Sequence, residues 1–306
     1  MEADIAAKLK DKGLSDSSIK LYIKSLKNLN DKKEIKNLRF LTKTDDILDK
    51  LKDYKATTQR NSIIAIVSVL KALDNPLYSK YYDIMINMTK SINEASKANE
   101  KTETQKTNWM KWEEVENTFN KMRDELKLLR KPNEEEYNNL LATVVLGLYT
   151  LLPPRRNKDY TEMYITNVKD ASKSDASKNY LDLKKEQFVF NVYKTAKKDG
   201  QLIIAIPVSL LQLLKIYIKH HPLKAQMKDS LVPFLVSFNG AKLPENGITR
   251  ILNKIFKKKV GSSMLRHIYL SSKYGNVLES QKEDQKMMSH GAMTQKDYIK
   301  TDKANK

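Results

Sequence analysis

The stretch LLPPRRNKDY sets Arg155 and Arg156 just past an apolar run, with Asp159 three residues after Arg156. An arginine projecting from a rigid helix end, with a carboxylate nearby to hold it, makes a phosphate clamp. An arginine pair at a helix C-terminus is also what the macrodipole favours by itself. In SSMLRHIYLSSKYG, Arg266 sits among Leu265, Tyr269 and Leu270, where it is partly desolvated. A guanidinium in that position requires an anion, either a protein carboxylate or a ligand phosphate. FVFNVYKTAKKDG carries Lys194 at the end of a strand, with Lys197 and Lys198 in the following turn. Lysines in such turns are ordinarily solvated. MMSHGAMTQKDYIK places His290 eight residues before Tyr298. With 15 Tyr and 4 His in the chain, chance alone supplies roughly 0.4 His–Tyr pairs at a spacing of eight or nine, so this pair decides nothing in isolation.

The elements that must carry these residues fall into two groups. In the first ninety-odd residues, LSDSSIKLYIKSLKNL has serine and aspartate cap candidates followed by Ile19, Tyr22, Ile23 and Leu26 at helical spacing. TTQRNSIIAIVSVLKAL opens on Thr57 or Thr58 as a cap and is apolar nearly all round, the pattern of a buried central helix. PLYSKYYDIMINMTKSI reads as a further helix. Residues 94–108 are polar, charged and without apolar periodicity, the composition of a linker. Order restarts at Trp109 and Trp112, and a buried helix over Asn138 to Leu152 ends sharply at Pro153-Pro154. NYLDL, QFVFNVYK and QLIIAIP read as strands. Helices follow over Ser209 to Lys219 and Pro244 to Phe256, then two more, SSMLRHIYLSSKYG and SQKEDQKMM.

Composition narrows the function classes. The chain has 56 basic and 37 acidic residues, net +19. The first hundred residues carry +5 of that and the remainder +14. Such an excess is the footprint of a polyanion ligand, although a lysine-rich proteome produces the same number. Lysine outnumbers arginine 48 to 8, so an arginine here marks a place that needs a rigid bidentate fork. There is no cysteine, which excludes a disulfide scaffold and a thiolate metal site and is compatible with an intracellular protein. The N-terminus has acids and no apolar stretch, so no secretory signal is expected. The longest apolar run, Leu140 to Leu152, is 13 residues and too short to span a bilayer.

Taken in order, Arg, hairpin Lys, Leu-Arg-His, His and Tyr resemble the tyrosine recombinase (integrase) family from about Trp109 onward. YTLLPPRRNKDYTEM is similar to the first-arginine motif, in which an acid follows the arginine by three, and this favours Arg156 over Arg155. YKT before IAIP resembles the lysine hairpin, LRH the second-arginine box, and MSHGAMTQKDY the His-to-Tyr tail. The style of the motifs looks most like integrases of large eukaryotic DNA viruses and virophages.

The resemblance implies a mainly α fold with a small antiparallel β-sheet in the C-terminal domain. It also implies a two-domain DNA clamp: a helical core-binding domain over 1–93, a linker over 94–108 and a catalytic domain over 109–306. Tyr298 would be the nucleophile, Arg156 and Arg266 the phosphate clamp, Lys194 the general acid, and His290 a donor to the phosphate or an orienter of the tyrosine. Lys197, Lys198 and Arg155 would contact DNA. The partners implied are double-stranded DNA and further copies of the chain, as a tetramer on paired sites, with no cofactor, metal or membrane. The location would be wherever target DNA resides, a host nucleus or a viral factory. A type IB topoisomerase shares this chemistry, and a decayed, purely DNA-binding protein is the non-enzymatic alternative. Three departures stand out. Ser263 replaces a histidine three residues before Arg266, so that His267 or water takes a proton, or strong base help is not needed; the His-to-Tyr interval is eight where nine is common; and eight residues follow Tyr298.

Overall fold

The computed structural model describes residues 1–96, 100–126, 129–166, 171–228 and 230–299. The chain divides into two compact units, Met1–Lys101 and Thr102–Lys306. The first is all helical: α1 (Glu2–Asp11), α2 (Asp16–Leu29), α3 (Thr44–Leu51), α4 (Ala56–Ala72) and α5 (Tyr78–Ser96). Ser15 caps α2 by accepting from the Ser18 N–H at 3.3 Å. Helix α4 is the buried centre of this unit, with Ile63, Ala65, Ile66, Val69 and Leu70 fully enclosed. It begins at Ala56, one residue before the expected threonine caps, on Lys55 and without a side-chain cap bond. Tyr81 of α5 donates to the Leu41 carbonyl at 2.8 Å, satisfying a buried hydroxyl.

The second unit begins inside the segment expected to be a linker. Residues 103–108 form α6 (Glu103–Asn108), held by a reciprocal cap between Thr102 and Gln105. This helix has no apolar stripe to reveal it; its anchor is the buried amide of Asn108, which accepts from the Lys259 N–H at 2.8 Å. α7 (Trp112–Asp124) and α8 (Glu134–Thr150) follow. Helix α8 starts at Glu134, four residues before the expected Asn138, because Asn133 and Glu136 form a capping box. Gly147 on α8 lets Phe119 and Leu213 come within 3.1 Å of where a Cβ would stand.

After α8 come α9 (Asn157–Thr161), β1 (Met163–Thr166), β2 (Asn179–Asp182), β3 (Gln187–Phe190), α10 (Ala196–Asp199), β4 (Leu202–Ala205), α11 (Val208–Lys219), β5 (Val232–Pro233), α12 (Gly247–Phe256), α13 (Ser262–Met287) and α14 (Ala292–Tyr298). The fold is mainly helical with one five-stranded sheet in the order β4-β3-β2-β1-β5. The sheet is mixed rather than antiparallel: β1 pairs with β2 in parallel, Met163 opposite Asn179, and the other pairs are antiparallel. β1 and β5 are short and owe their pairing to tertiary contact, so neither gave an alternating pattern of useful length. Tyr160, Phe188, Phe190 and Phe234 pack beneath the sheet with centroids about 6 Å apart, as edge-to-face or tilted pairs.

Two further differences bear on the site. β3 stops at Phe190, so Lys194 lies four residues beyond a strand and not at its end. The two helices expected after Gly261 are one: α13 runs unbroken from Ser262 to Met287, through Gly275.

Candidate functional site

Pro153 and Pro154 stop α8 and turn the chain so that Arg156 becomes the N-cap of α9. The two arginines then have opposite fates. Arg155 donates from Nε to Asp159 Oδ2 at 2.9 Å, and its Nη2 forms an ion pair with the same oxygen at 2.9 Å. Its guanidinium lies 3.9 Å from the Phe190 ring centroid and 5.4 Å from that of Tyr193. The carboxylate that the motif offers is therefore taken by Arg155. Burial holds the Asp159 carboxyl above its ordinary range, opposed first by Arg155 and more weakly by Arg156. Arg156 is half-buried, and its side chain donates no hydrogen bond to any described residue.

Arg266 stands one turn into α13. Its Nε reaches back to the Ser262 carbonyl at 3.4 Å. Among the described residues, no carboxylate makes Arg266 a structural ion pair. Ser263 and His267 are exposed beside it, and Lys257, Lys258 and Lys259 are exposed in the turn before α13.

Tyr149 and Asn157 tie the two arginine segments together. Tyr149 donates to Asn157 Oδ1 at 3.1 Å, and Asn157 Nδ2 donates to Thr249 Oγ1 at 2.9 Å. Thr249 in turn lies 3.3 Å from the Cβ position of Gly261, the N-cap of α13. Burial drives the Tyr149 phenol well above its ordinary value, with Tyr160 and Asp159 adding to the rise and Ser262 and Arg266 opposing it. Tyr149 is thus a neutral brace close to Arg266, and its burial rules it out as a nucleophile.

Asn179 performs the same service for the lysine loop. This fully buried amide accepts from the N–H groups of Asn191 at 2.9 Å and Val192 at 2.8 Å, which ends β3. It donates to the carbonyls of Asp159 at 3.1 Å and Val192 at 2.9 Å. The arginine turn and the lysine loop are therefore joined through one side chain. Lys194 itself is exposed and bonds no described residue, and Lys197 and Lys198 are exposed on α10. None of Asn157, Asn179 and Tyr149 was singled out from sequence. The available signal was an asparagine opening the apolar strand NYLDL, where a polar residue calls for buried partners.

His290 and Tyr298 do pair with each other, ring centroids 5.8 Å apart at 47°. Both imidazole nitrogens are shielded from solvent and lack a hydrogen-bond partner, while Tyr298 is 67% exposed. The His290 N–H bonds the Gln285 carbonyl at 3.1 Å, and Gln285 Nε2 donates to Gln295 Oε1 at 2.5 Å, folding α14 against the end of α13. Ser262, which holds Arg266, and Gln285, which holds His290, stand at opposite ends of one helix, about 35 Å apart at 1.5 Å per residue. A single chain thus brings Arg156, Arg266 and the Lys194 loop into one connected region and keeps the His290–Tyr298 pair far from it.

Among the described residues no group of three or more His, Asp or Glu could hold a metal ion, and no helix is long and apolar enough to cross a membrane. No protein-family profile matches the sequence, and no curated protein does. Among solved structures the chain is similar to one described as the crystal structure of XerA recombinase, with a TM-score of 0.36 and 15% identity over 99% of this chain and 93% of that one. At that level of likeness neither fold nor activity passes from that protein to this chain.

Proposed function

We propose that the chain is a tyrosine recombinase that cuts and rejoins DNA by metal-free transesterification. The observation that carries this reading is the state of the two arginines. Arg156 and Arg266 come from segments joined through Tyr149 and Asn157, and neither is neutralised by a carboxylate of the described protein. The order of the five motif residues and the net charge of +19 support it.

Tyr298 Oη, once brought from the far end of α13 to the arginines, would attack a backbone phosphorus, forming a 3′-phosphotyrosyl bond and releasing the 5′-oxygen. Arg156 and Arg266 would bind the non-bridging oxygens, whose charge grows in the transition state. Lys194, on an exposed loop braced by Asn179, would protonate the leaving 5′-oxygen. His290 would donate to the phosphate. The phenol proton passes to water or to His267, since Ser263 is a poor base at neutral pH. The helical first unit and the lysines 197 and 198 would add phosphate contacts that position the duplex without reading it.

A DNA duplex nicked near the cleavage site traps the covalent intermediate and tests this directly. The wild-type chain should become DNA-linked, and Tyr298→Phe should not. An adduct on Tyr298→Phe would remove the nucleophile assignment. With two cognate sites supplied, supercoil relaxation without recombinant product would make the enzyme a topoisomerase instead.

A further inference from the structure

We infer that Tyr193 is a positioning residue for Lys194, a clasp that sets the proton donor in register with the phosphate clamp at Arg156. The inference rests on the recombinase reading above and deepens it by naming what fixes the geometry between acid and clamp.

Lys194 does not hold its own position. It is exposed, bonds no described residue and lies four residues beyond the end of β3. Its four-carbon stem is flexible, so an ammonium on a loose loop does not stay near any one oxygen. Proton transfer needs donor and acceptor within about 2.6–3.2 Å, and a misplacement of about 1 Å costs on the order of 10²-fold. The backbone beneath Lys194 must be held by something else.

Tyr193 holds it in three ways. Its hydroxyl donates to the Gly200 carbonyl at 2.8 Å, closing the loop across seven residues. Its carbonyl accepts from the Ala196 N–H at 3.1 Å, so Lys194 is the second residue of a closed turn that runs directly into α10. Its ring is half-buried against the main core, 5.4 Å from the Arg155 guanidinium. The base of the same loop is tied as well, because Asn191 donates to the Lys178 carbonyl at 2.8 Å and accepts from Gln201 Nε2 at 2.7 Å.

Packing alone does not account for these bonds. A phenylalanine would fill the space of the Tyr193 ring equally well. The acceptor, Gly200, has φ +73° and ψ −159°, a conformation essentially confined to glycine. Nothing lies near its Cβ position, so the backbone requires the glycine and crowding does not. A glycine-only conformation that offers its carbonyl to an exposed hydroxyl fixes the shape of a loop.

The contact with Arg155 gives that shape its bearing on catalysis. Arg155 is itself fixed by Asp159 and lies 3.9 Å from the Phe190 ring centroid. Arg156 follows Arg155 in the chain, and Lys194 follows Tyr193. Each functional cation is therefore one Cα step, about 3.8 Å, from a member of one packed pair. Through Arg155 and Tyr193 the acid and the clamp are set against each other.

The test uses the nicked duplex in two forms, one ordinary and one with sulfur at the bridging 5′ position of the cleaved phosphate, a leaving group that needs no acid. Lys194→Ala is the reference, slow on the first and restored on the second. Tyr193→Phe keeps the ring and should be slower on the ordinary duplex by about 10-fold, the scale of one lost hydrogen bond. Tyr193→Ala should be slower by about 10²-fold, and Gly200→Ala should follow Tyr193→Phe. All three should recover the wild-type rate on the sulfur duplex, because what they disturb is the acid. Arg156→Ala should stay slow on both, since the oxygens it binds are unchanged. Tyr193 and Gly200 variants equally slow on both duplexes would assign these residues to the fold or the clamp and overturn the proposal. Full activity of Tyr193→Phe and Gly200→Ala on the ordinary duplex overturns it too, and both can be read even where Tyr193→Ala does not fold. A Lys194→Ala chain that sulfur fails to restore, or a wild-type chain that forms no adduct, instead removes the recombinase chemistry on which the clasp depends.

Discussion

Arg155 and Arg156 are adjacent and chemically identical, yet their removal should have opposite consequences. Arg155→Ala deletes a 2.9 Å hydrogen bond and a 2.9 Å ion pair to Asp159, and the stack on Phe190. The side chains of the pair are only 16% and 4% exposed, so the loss falls in the range for breaking a buried ion pair, about 3–5 kcal/mol. Burial already disfavours the Asp159 carboxylate, and Arg156 still stands near it, which puts the cost at the lower end, about 3 kcal/mol. In a unit of this size that lowers the unfolding midpoint by about 6–12 °C. Arg156→Ala removes no protein hydrogen bond and should stay within about 0.5 kcal/mol of wild type. Its effect should appear in cleavage, at about 10²–10³-fold, the scale of one lost oxyanion donor. Both tryptophans, Trp109 and Trp112, belong to the second unit, so tryptophan fluorescence during heating follows that unit alone. Adduct formation on the nicked duplex supplies the other axis. If Arg156→Ala proves the destabilised protein and Arg155→Ala the stable, inactive one, the assignment is reversed and the geometry given for the clamp is wrong.

Asn179→Ala leaves the N–H groups of Asn191 and Val192 and the carbonyl of Asp159 unpaired; it should cost at least about 3 kcal/mol by denaturant titration, and an unchanged midpoint would remove the brace. Lys194→Ala should slow cleavage by about 10²–10⁴-fold, and a substrate with sulfur at the bridging 5′ position should restore it, because a thiolate leaves without a proton. Burial lowers the pKa of His221 to about 4 from an ordinary 6.5. The fold therefore disfavours the charged ring, and stability present above about pH 6.5 is lost as pH falls toward 4, by about 3 kcal/mol in all. His221→Asn, which keeps an acceptor for the Leu223 N–H, should flatten that pH dependence. DNA affinity should fall about 10³-fold between 50 and 200 mM salt if six phosphates are contacted, and a flat response would argue against a polyanion ligand.

The sequence alone determined what is local. Ser15 capped α2 as its spacing required, the double proline stopped α8, and the apolar runs found α4 and α8, because caps, φ restriction and periodicity act within a few residues. It also set out the order of Arg156, Lys194, Arg266, His290 and Tyr298, since order is a property of the chain. Tertiary structure decided the rest. Whether Arg155 or Arg156 takes Asp159 depends on Phe190, thirty-odd residues away. The parallel pairing of β1 with β2, and the early end of β3 at Phe190 where Asn179 of β2 takes the next N–H groups, arise from partners brought together only by folding. Most consequentially, Gly275 invited a break that did not occur. A helix interior tolerates one glycine when the residues on both sides favour the helix, and the unbroken α13 sets the tyrosine of this chain far from its arginines.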